Sequence, residues 1–205
     1  MPVFYFFGDS ITASDRLWKQ KNGGLGDGYV SLLAAQLKNH FSEISVYNKG
    51  FDGFTAAALL RCLRQDTAWQ AADYITIQIG INNVGVAMNT GLSLQAQDFS
   101  MQYRHLLYEI ASRTSARILA LGPFIFPQPQ EYAAWLPAVR EAEAIMAKTA
   151  ADLNISFVPL QNFLNDAAHE HGYCAVTTDG IHLTGTGHRM LAACLMPYYT
   201  CDMRK

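Results

Sequence analysis

The chain has 205 residues, half of them apolar and 16% charged, enough for one substantial core, which predicts a single domain over 1–205. A formal charge of −2 supplies no basic field and argues against nucleic acid or an anionic membrane as the main partner. No apolar run approaches the length of a membrane span, so no stable membrane insertion is expected.

The amino terminus opens directly on an apolar run, with no basic stretch or cleavage site, which reads as a cytoplasmic protein. Cys62, Cys174, Cys194 and Cys201 lack CxxC spacing and fall mostly in apolar helical contexts. Buried thiols are expected there, rather than a disulfide frame or a metal site.

Val3 to Phe7 is an apolar run cut off by Gly8-Asp9-Ser10, the pattern of a buried strand with a tight exit. Ser10 then lies just past the carboxyl end of a central strand, where open α/β sheets place their ligands. Thr12 to Gly28 reads as a long loop, a length that is often functional. Tyr29 to Phe41 has a helical apolar face, Ile44 to Tyr47 a short strand, and Thr55 caps a helix carrying Leu59, Leu60 and Leu63. Tyr74 to Ile79 alternates strictly, which suggests a strand with one wet face.

Phe99, Tyr103, Leu106 and Ile110 mark a further helix, and Arg117 to Leu121 a fourth strand. After a second long loop from Pro127 to Pro137, Val139, Ala142, Met146 and Leu153 line another helix. Ile155 to Val158 is a fifth strand, Asn162 to Ala168 a short helical piece, and a last helix starts near Thr184.

Five strands alternating with helices predict an α/β/α sandwich around a parallel sheet, with the flavodoxin-like order 2-1-3-4-5. In that order Ser10, Gly53 and Asn82 each follow a strand's carboxyl end, and the loop Asp179-Gly180-Ile181-His182 follows the fifth. All gather along one rim. A serine hydroxyl needs a base within hydrogen-bond reach, which a histidine supplies and a carboxylate orients. Ser10 is therefore expected as nucleophile, His182 as general base and then acid, and Asp179 as the orienting carboxylate. The backbone N–H groups of Ser10 and Gly53 and the side-chain amide of Asn82 could form the oxyanion hole. Activity should then fall below about pH 6 as the base protonates.

Gly8-Asp9-Ser10, the glycine of Asn48-Lys49-Gly50-Phe51-Asp52-Gly53, Gly80-Ile81-Asn82 and Asp179-x-x-His182, in this order, resemble the four blocks of the SGNH or GDSL hydrolases. The resemblance runs from residue 4 to about 196. It implies a three-layer α/β/α fold and hydrolysis of a small-molecule carboxylic ester through an acyl-enzyme, with no metal and no cofactor. It also implies that Gly53 is the oxyanion glycine and Gly50 a turn residue. Flanking residues such as Leu25-Gly26-Asp27-Gly28-Tyr29-Val30 and Asp179 to Thr184 are similar to the small cytoplasmic branch that includes acetylxylan esterases. That similarity implies short acyl groups, acetyl first, on carbohydrates; the alternative is a lysophospholipase or thioesterase taking longer chains. Relatives in that branch often assemble, which leaves a homo-oligomer open. Two residues depart from the pattern: Asn83 replaces the usual aspartate after Asn82, and Thr178 stands where an aromatic residue often precedes Asp179.

Other chemistries fit less well. His169-Glu170-His171 is not HExxH, and residues two apart on a helix point away from each other. Gly8-Asp9-Ser10-Ile11-Thr12 has no glycine two after the serine, unlike a nucleophile elbow. Gly185-Thr186-Gly187 opens a helix with no strand before it, unlike a dinucleotide loop. A non-catalytic binding module on the same fold is the remaining rival, because fold alone does not fix function. Trp69 is expected in the core, His188 near the rim of the site, and Trp18 and Trp135 in loops that could carry a substrate platform.

Overall fold

A computed structural model describes residues 1–19 and 21–200, so Cys201 lies outside the described residues. In chain order it runs β1 (Val3–Gly8), α1 (Ser10–Ala13), α2 (Arg16–Lys19), α3 (Tyr29–Leu37), β2 (Ser45–Gly50), α4 (Ala56–Gln65) and β3 (Tyr74–Gln78). There follow α5 (Ile81–Thr90), α6 (Phe99–Ala111), β4 (Arg117–Leu121), α7 (Leu136–Asp152), β5 (Ser156–Val158), α8 (Gln161–His171), α9 (Tyr173–Val176) and α10 (Gly185–Thr200). The five strands form one parallel sheet in the order β2-β1-β3-β4-β5. Helix α3 packs on α10, while α4 packs on α6 and α6 on α7.

Strand β1 is buried on both faces because every one of its central residues is a large apolar group. Phe4 and Phe6 meet Tyr199 of α10 edge-on at 6.0 and 6.1 Å, and Phe7 on the opposite face meets the buried Trp69 at 6.5 Å. Burying such rings contributes about 1.5–3 kcal/mol each, which anchors the strand that ends at Ser10.

Several local expectations change. The alternating strand β3 has no wet face: Thr76 and Gln78 are both buried, and the Thr76 hydroxyl is satisfied by the Tyr199 hydroxyl at 2.6 Å. At Thr76 a buried side-chain hydrogen bond substitutes for solvent, which alternation alone does not reveal; the buried Gln78 amide has no such partner among the described residues. The stretch after Ser10 is not all loop, since α1, α2 and a 3₁₀ turn at Lys21–Gly24 lie within it. Helix α3 stops at Leu37, short of Phe41, β2 extends to Gly50, and α8 continues to His171. Helix α5 has no counterpart among the expected elements. Its first turn, Ile81-Asn82-Asn83, carries poor helix formers, and it is held instead by tertiary contacts of those two asparagines. Cys174 is exposed, and Cys62 and Cys194 are only partly buried, so the expectation of buried thiols fails for Cys174 outright.

Candidate active site

The exit from β1 is built by Asp9. Its Oδ1 accepts the N–H of Ile11 at 3.0 Å, capping α1, so Ser10 is the first residue of a helix rather than part of an open loop. Asp9 is fully buried, its Oδ2 has no hydrogen-bond partner among the described residues, and burial pushes its carboxyl up to about 7.

Ser10 and the loop before α10 meet across the sheet rim. Ser10 Oγ lies 2.9 Å from His182 Nε2, and His182 Nδ1 lies 2.6 Å from Asp179 Oδ2. Asp179 Oδ1 also accepts the N–H groups of Ile181 and His182 at 2.9 and 2.7 Å. Partial burial pushes the Asp179 carboxyl up, but the imidazole and the two N–H donors outweigh it and hold the group below its usual range. An ionised Asp179 accepts Nδ1–H, and the bare Nε2 faces the serine hydroxyl.

The loop bearing this pair is framed by its own threonine. Thr177 Oγ1 donates to the His182 carbonyl at 2.8 Å and accepts from Gly180 N–H at 2.9 Å. Phe126, beyond the end of β4, donates its N–H to the Gly180 carbonyl at 2.9 Å, tying the loop to the sheet.

Gly53 and Asn82 also lie beyond strand ends on this rim. Gly53 has φ +73°, a left-handed conformation in which a side chain is strained, and its surroundings are open. Gly50 is no mere turn residue. It ends β2 against α1, where a Cβ would fall 2.3 Å from Ala13 N, so only glycine permits the strand to pass the helix that begins at Ser10. Asn82 sits in the first turn of α5 and donates from Nδ2 to the Phe54 carbonyl at 3.0 Å, leaving its second amide hydrogen for another acceptor. Among the described residues, neither the Ser10 nor the Gly53 N–H has an acceptor within the chain.

Two supporting residues carry roles the sequence reading did not assign. Asn48 Nδ2 donates to the Thr12 and Leu25 carbonyls, each at 2.7 Å, and Asn48 Oδ1 accepts from Gly50 N–H at 2.9 Å. One buried amide thereby joins α1, the loop before α3 and the end of β2. Asn83, the departure from the family pattern, accepts the Ala56 N–H at Oδ1 (3.1 Å) and donates from Nδ2 to Gln97 Oε1 (3.2 Å). Its amide therefore finds the acceptor that an aspartate would not require. Nothing local in the apolar stretch Ile79 to Met88 pointed to Gln97, fourteen residues on, as the partner of Asn83.

The tryptophans divide. Trp69 is in the core, Trp18 is exposed with Nε1 donating to Asp52 Oδ2 at 3.3 Å, and half-buried Trp135 packs on Tyr132 at 4.9 Å. His188 of α10 lines the same pocket as Ser10 and His182. His169 contacts Tyr173, and among the described residues no three His, Cys, Asp or Glu side chains converge as metal ligands. A larger cleft of about 540 Å³, lined by residues including Phe99, Arg104 and Ile145, contains neither Ser10 nor His182.

A parallel α/β sheet with a hydrogen-bonded Ser, His and Asp row at its carboxyl rim has the build of an ester hydrolase. Residues 6–190 match the model of the GDSL-like lipase/acylhydrolase family, and the chain belongs to that family. It is a carboxylic ester hydrolase of the GDSL type.

The chain is 27% identical over 195 residues to an acetylxylan esterase of Geobacillus stearothermophilus, covering 91% of this chain and 89% of that relative. A variant of an acetyl xylan esterase from the same organism superposes with TM-score 0.80 at 26% identity, covering 95% of this chain and 93% of the other. An α/β hydrolase from the metagenome of Lake Arreo shares the fold with TM-score 0.82 at 24% identity, over 98% and 95% of the two chains. Catalytic mutants of the Geobacillus esterase replace a serine, an aspartate and a histidine by alanine. No helix among the described residues is long and apolar enough to cross a membrane.

Proposed function

We propose that this protein hydrolyses short-chain carboxylic esters, acetyl esters of carbohydrates first among them, through an acyl-enzyme on Ser10. The observation that carries this reading is the continuous row Ser10 Oγ, His182 Nε2, His182 Nδ1, Asp179 Oδ2, with spacings of 2.9 Å and 2.6 Å. Ser10 Oγ bonds to the ester carbonyl carbon as its proton passes to His182 Nε2, and the carbonyl π electrons move to the oxygen. The Ser10 and Gly53 N–H groups and the Asn82 amide stabilise that oxyanion. Re-forming the carbonyl expels the alcohol oxygen, which takes the proton from His182. Water then repeats the sequence on the acyl-enzyme, releasing the acid and free Ser10. Asp179 holds the ring tautomer and stabilises the imidazolium. No step requires a metal or cofactor.

The acetyl and carbohydrate assignments are supported by the name of the Geobacillus relative. The mutants of that esterase support the roles given to Ser10, Asp179 and His182, which have the same three residue types.

Two measurements test the proposal. A fluorophosphonate should label the parent protein at Ser10 and leave Ser10→Ala unlabelled; equal labelling of both removes the nucleophile. Rates on p-nitrophenyl esters of two to sixteen carbons should peak at the shortest. A maximum at eight or more would assign the chain to lysophospholipids or thioesters instead.

A further inference from the structure

Beside Ser10 lies a pocket of about 340 Å³ whose wall is mostly polar: Ser10, Ser14, Asp52, His182 and His188 line it, with Ile11 among its few apolar residues. The volume is at the small end of ligand clefts, room for one compact group rather than a long chain. In the acyl-transfer reading, on which this inference rests, the departing oxygen must lie within reach of His182 Nε2, so a pocket lined by His182 is where the alcohol half of the ester sits.

The hydrogen-bonding state of that pocket is set from behind. His188 is buried, and its Nδ1 faces the Tyr29 N–H at 3.2 Å; a backbone N–H only donates, so Nδ1 is the acceptor. The ring proton of the neutral imidazole must then be on Nε2, which is 3.5 Å from Ser14 Oγ. Burial, with a smaller contribution from nearby His182, lowers the His188 pKa to about 4, so this tautomer persists at neutral pH. Because His188 donates to Ser14 Oγ, the Ser14 hydroxyl proton remains available for an acceptor in the pocket. Asp52 contributes the opposite function: one carboxylate oxygen takes the Trp18 indole N–H at 3.3 Å, and the carboxylate keeps further capacity to accept. A donor and an acceptor on one small pocket match a hydroxyl-bearing alcohol, since each hydroxyl both donates and accepts. An alkyl alcohol would strip both groups of water without replacing their bonds, the costly case.

We infer that Ser14 and Asp52 form a subsite for the hydroxyl groups of the substrate's alcohol half, with His188 orienting Ser14 from behind. Ser14 and Asp52 determine specificity, and His188 is a positioning residue.

The test compares two acetates of primary alcohols on a six-membered ring: methyl 6-O-acetylglucopyranoside and cyclohexylmethyl acetate. They differ chiefly in the ring hydroxyls. The parent should favour the hydroxylated ester by tenfold or more in kcat/KM. Ser14→Ala and Asp52→Ala should each cut that ratio about fivefold, as loss of one hydrogen bond of ordinary strength predicts, chiefly through KM. His188→Phe, which keeps the ring shape without the N–H, should lower the ratio, and His188→Gln should restore part of it. A ratio near one in the parent, or a ratio unchanged in both Ser14→Ala and Asp52→Ala, overturns the subsite. With p-nitrophenyl acetate still hydrolysed, that result overturns the subsite alone. Loss of all three activities in the parent overturns the acyl-transfer reading with it.

Discussion

Asp179 holds His182 at two points: Oδ1 takes its backbone N–H at 2.7 Å, and Oδ2 faces its ring Nδ1 at 2.6 Å. The first bond sets the turn of the chain, and the second sets the direction of the imidazole. Four residues of loop, Asp179 to His182, therefore do what a separate strand would otherwise have to supply.

These two roles are separable in Asp179→Asn. The amide oxygen can still accept the backbone N–H groups, so the turn survives. Its NH₂ would face Nδ1, forcing the ring proton to Nε2, where it blocks acceptance of the Ser10 proton. We expect kcat to fall by roughly 10⁴ at neutral pH, as with other triads given the wrong tautomer. The melting temperature should stay within a few degrees of the parent. Equal losses of stability and activity would show that the residue serves the fold alone.

Asn82→Ala should lower kcat by about 10²–10³, the effect of losing one oxyanion donor. The same change releases the Phe54 carbonyl, which Asn82 now holds at 3.0 Å. Steady-state kinetics on p-nitrophenyl acetate checks this; near-normal kcat would remove Asn82 from the mechanism.

Restoring the commoner aspartate at position 83 should harm this chain. Asn83→Asp keeps an acceptor for Ala56 N–H but loses the donor to Gln97 Oε1 and directs a buried carboxylate at that oxygen. Gln97 cannot simply turn round, because its Nε2 already serves the Asn83 and Leu92 carbonyls. A loss of about 1–3 kcal/mol is expected, or a fall of roughly 2–12 °C in Tm, with Gln97→Glu worsening it through like-charge repulsion. Unchanged melting of Asn83→Asp would show that the Gln97 contact contributes nothing.

Stability should depend on pH in opposite senses through Asp9 and His188. Burial lowers His188 from 6.5 to about 4, so between those values the unfolded chain binds more protons and stability falls as pH drops. Burial raises Asp9 from 3.8 to about 7, so the folded chain binds more protons in that window and stability falls as pH rises. A pKa that differs by one between the folded and unfolded chain is worth about 1.4 kcal/mol. Asp9→Asn keeps the oxygen that caps Ile11 and removes the buried charge, so its advantage over the parent should grow from pH 4 to pH 7 and then level off. Thermal melts across that range check it; a constant difference at every pH would contradict a titrating Asp9.

The amino-acid order alone carried the architecture, because runs such as Val3 to Phe7 can be buried only as a central strand. It also singled out Ser10, Gly53 and Asn82, each just past a strand's carboxyl end, and parallel strands put those ends on one rim. Asp179 and His182 come after α8 and α9, and the packed loop brings them to it. Local signals failed where a long-range partner changed a residue's meaning. Thr76 looked solvent-facing until Tyr199, 123 positions away, supplied its hydrogen bond. Asn83 stood only as a departure from the family pattern until the Ala56 N–H and Gln97 Oε1 supplied its partners, and the helix that carries Asn82 and Asn83 was not expected at all. Asn48 and His188 were legible as residues but not as parts, because each acts by joining segments distant in the chain. Periodicity records which side of an element is apolar; only the packed structure decides which buried polar group meets which partner, since hydrogen bonding depends on direction and distance in space.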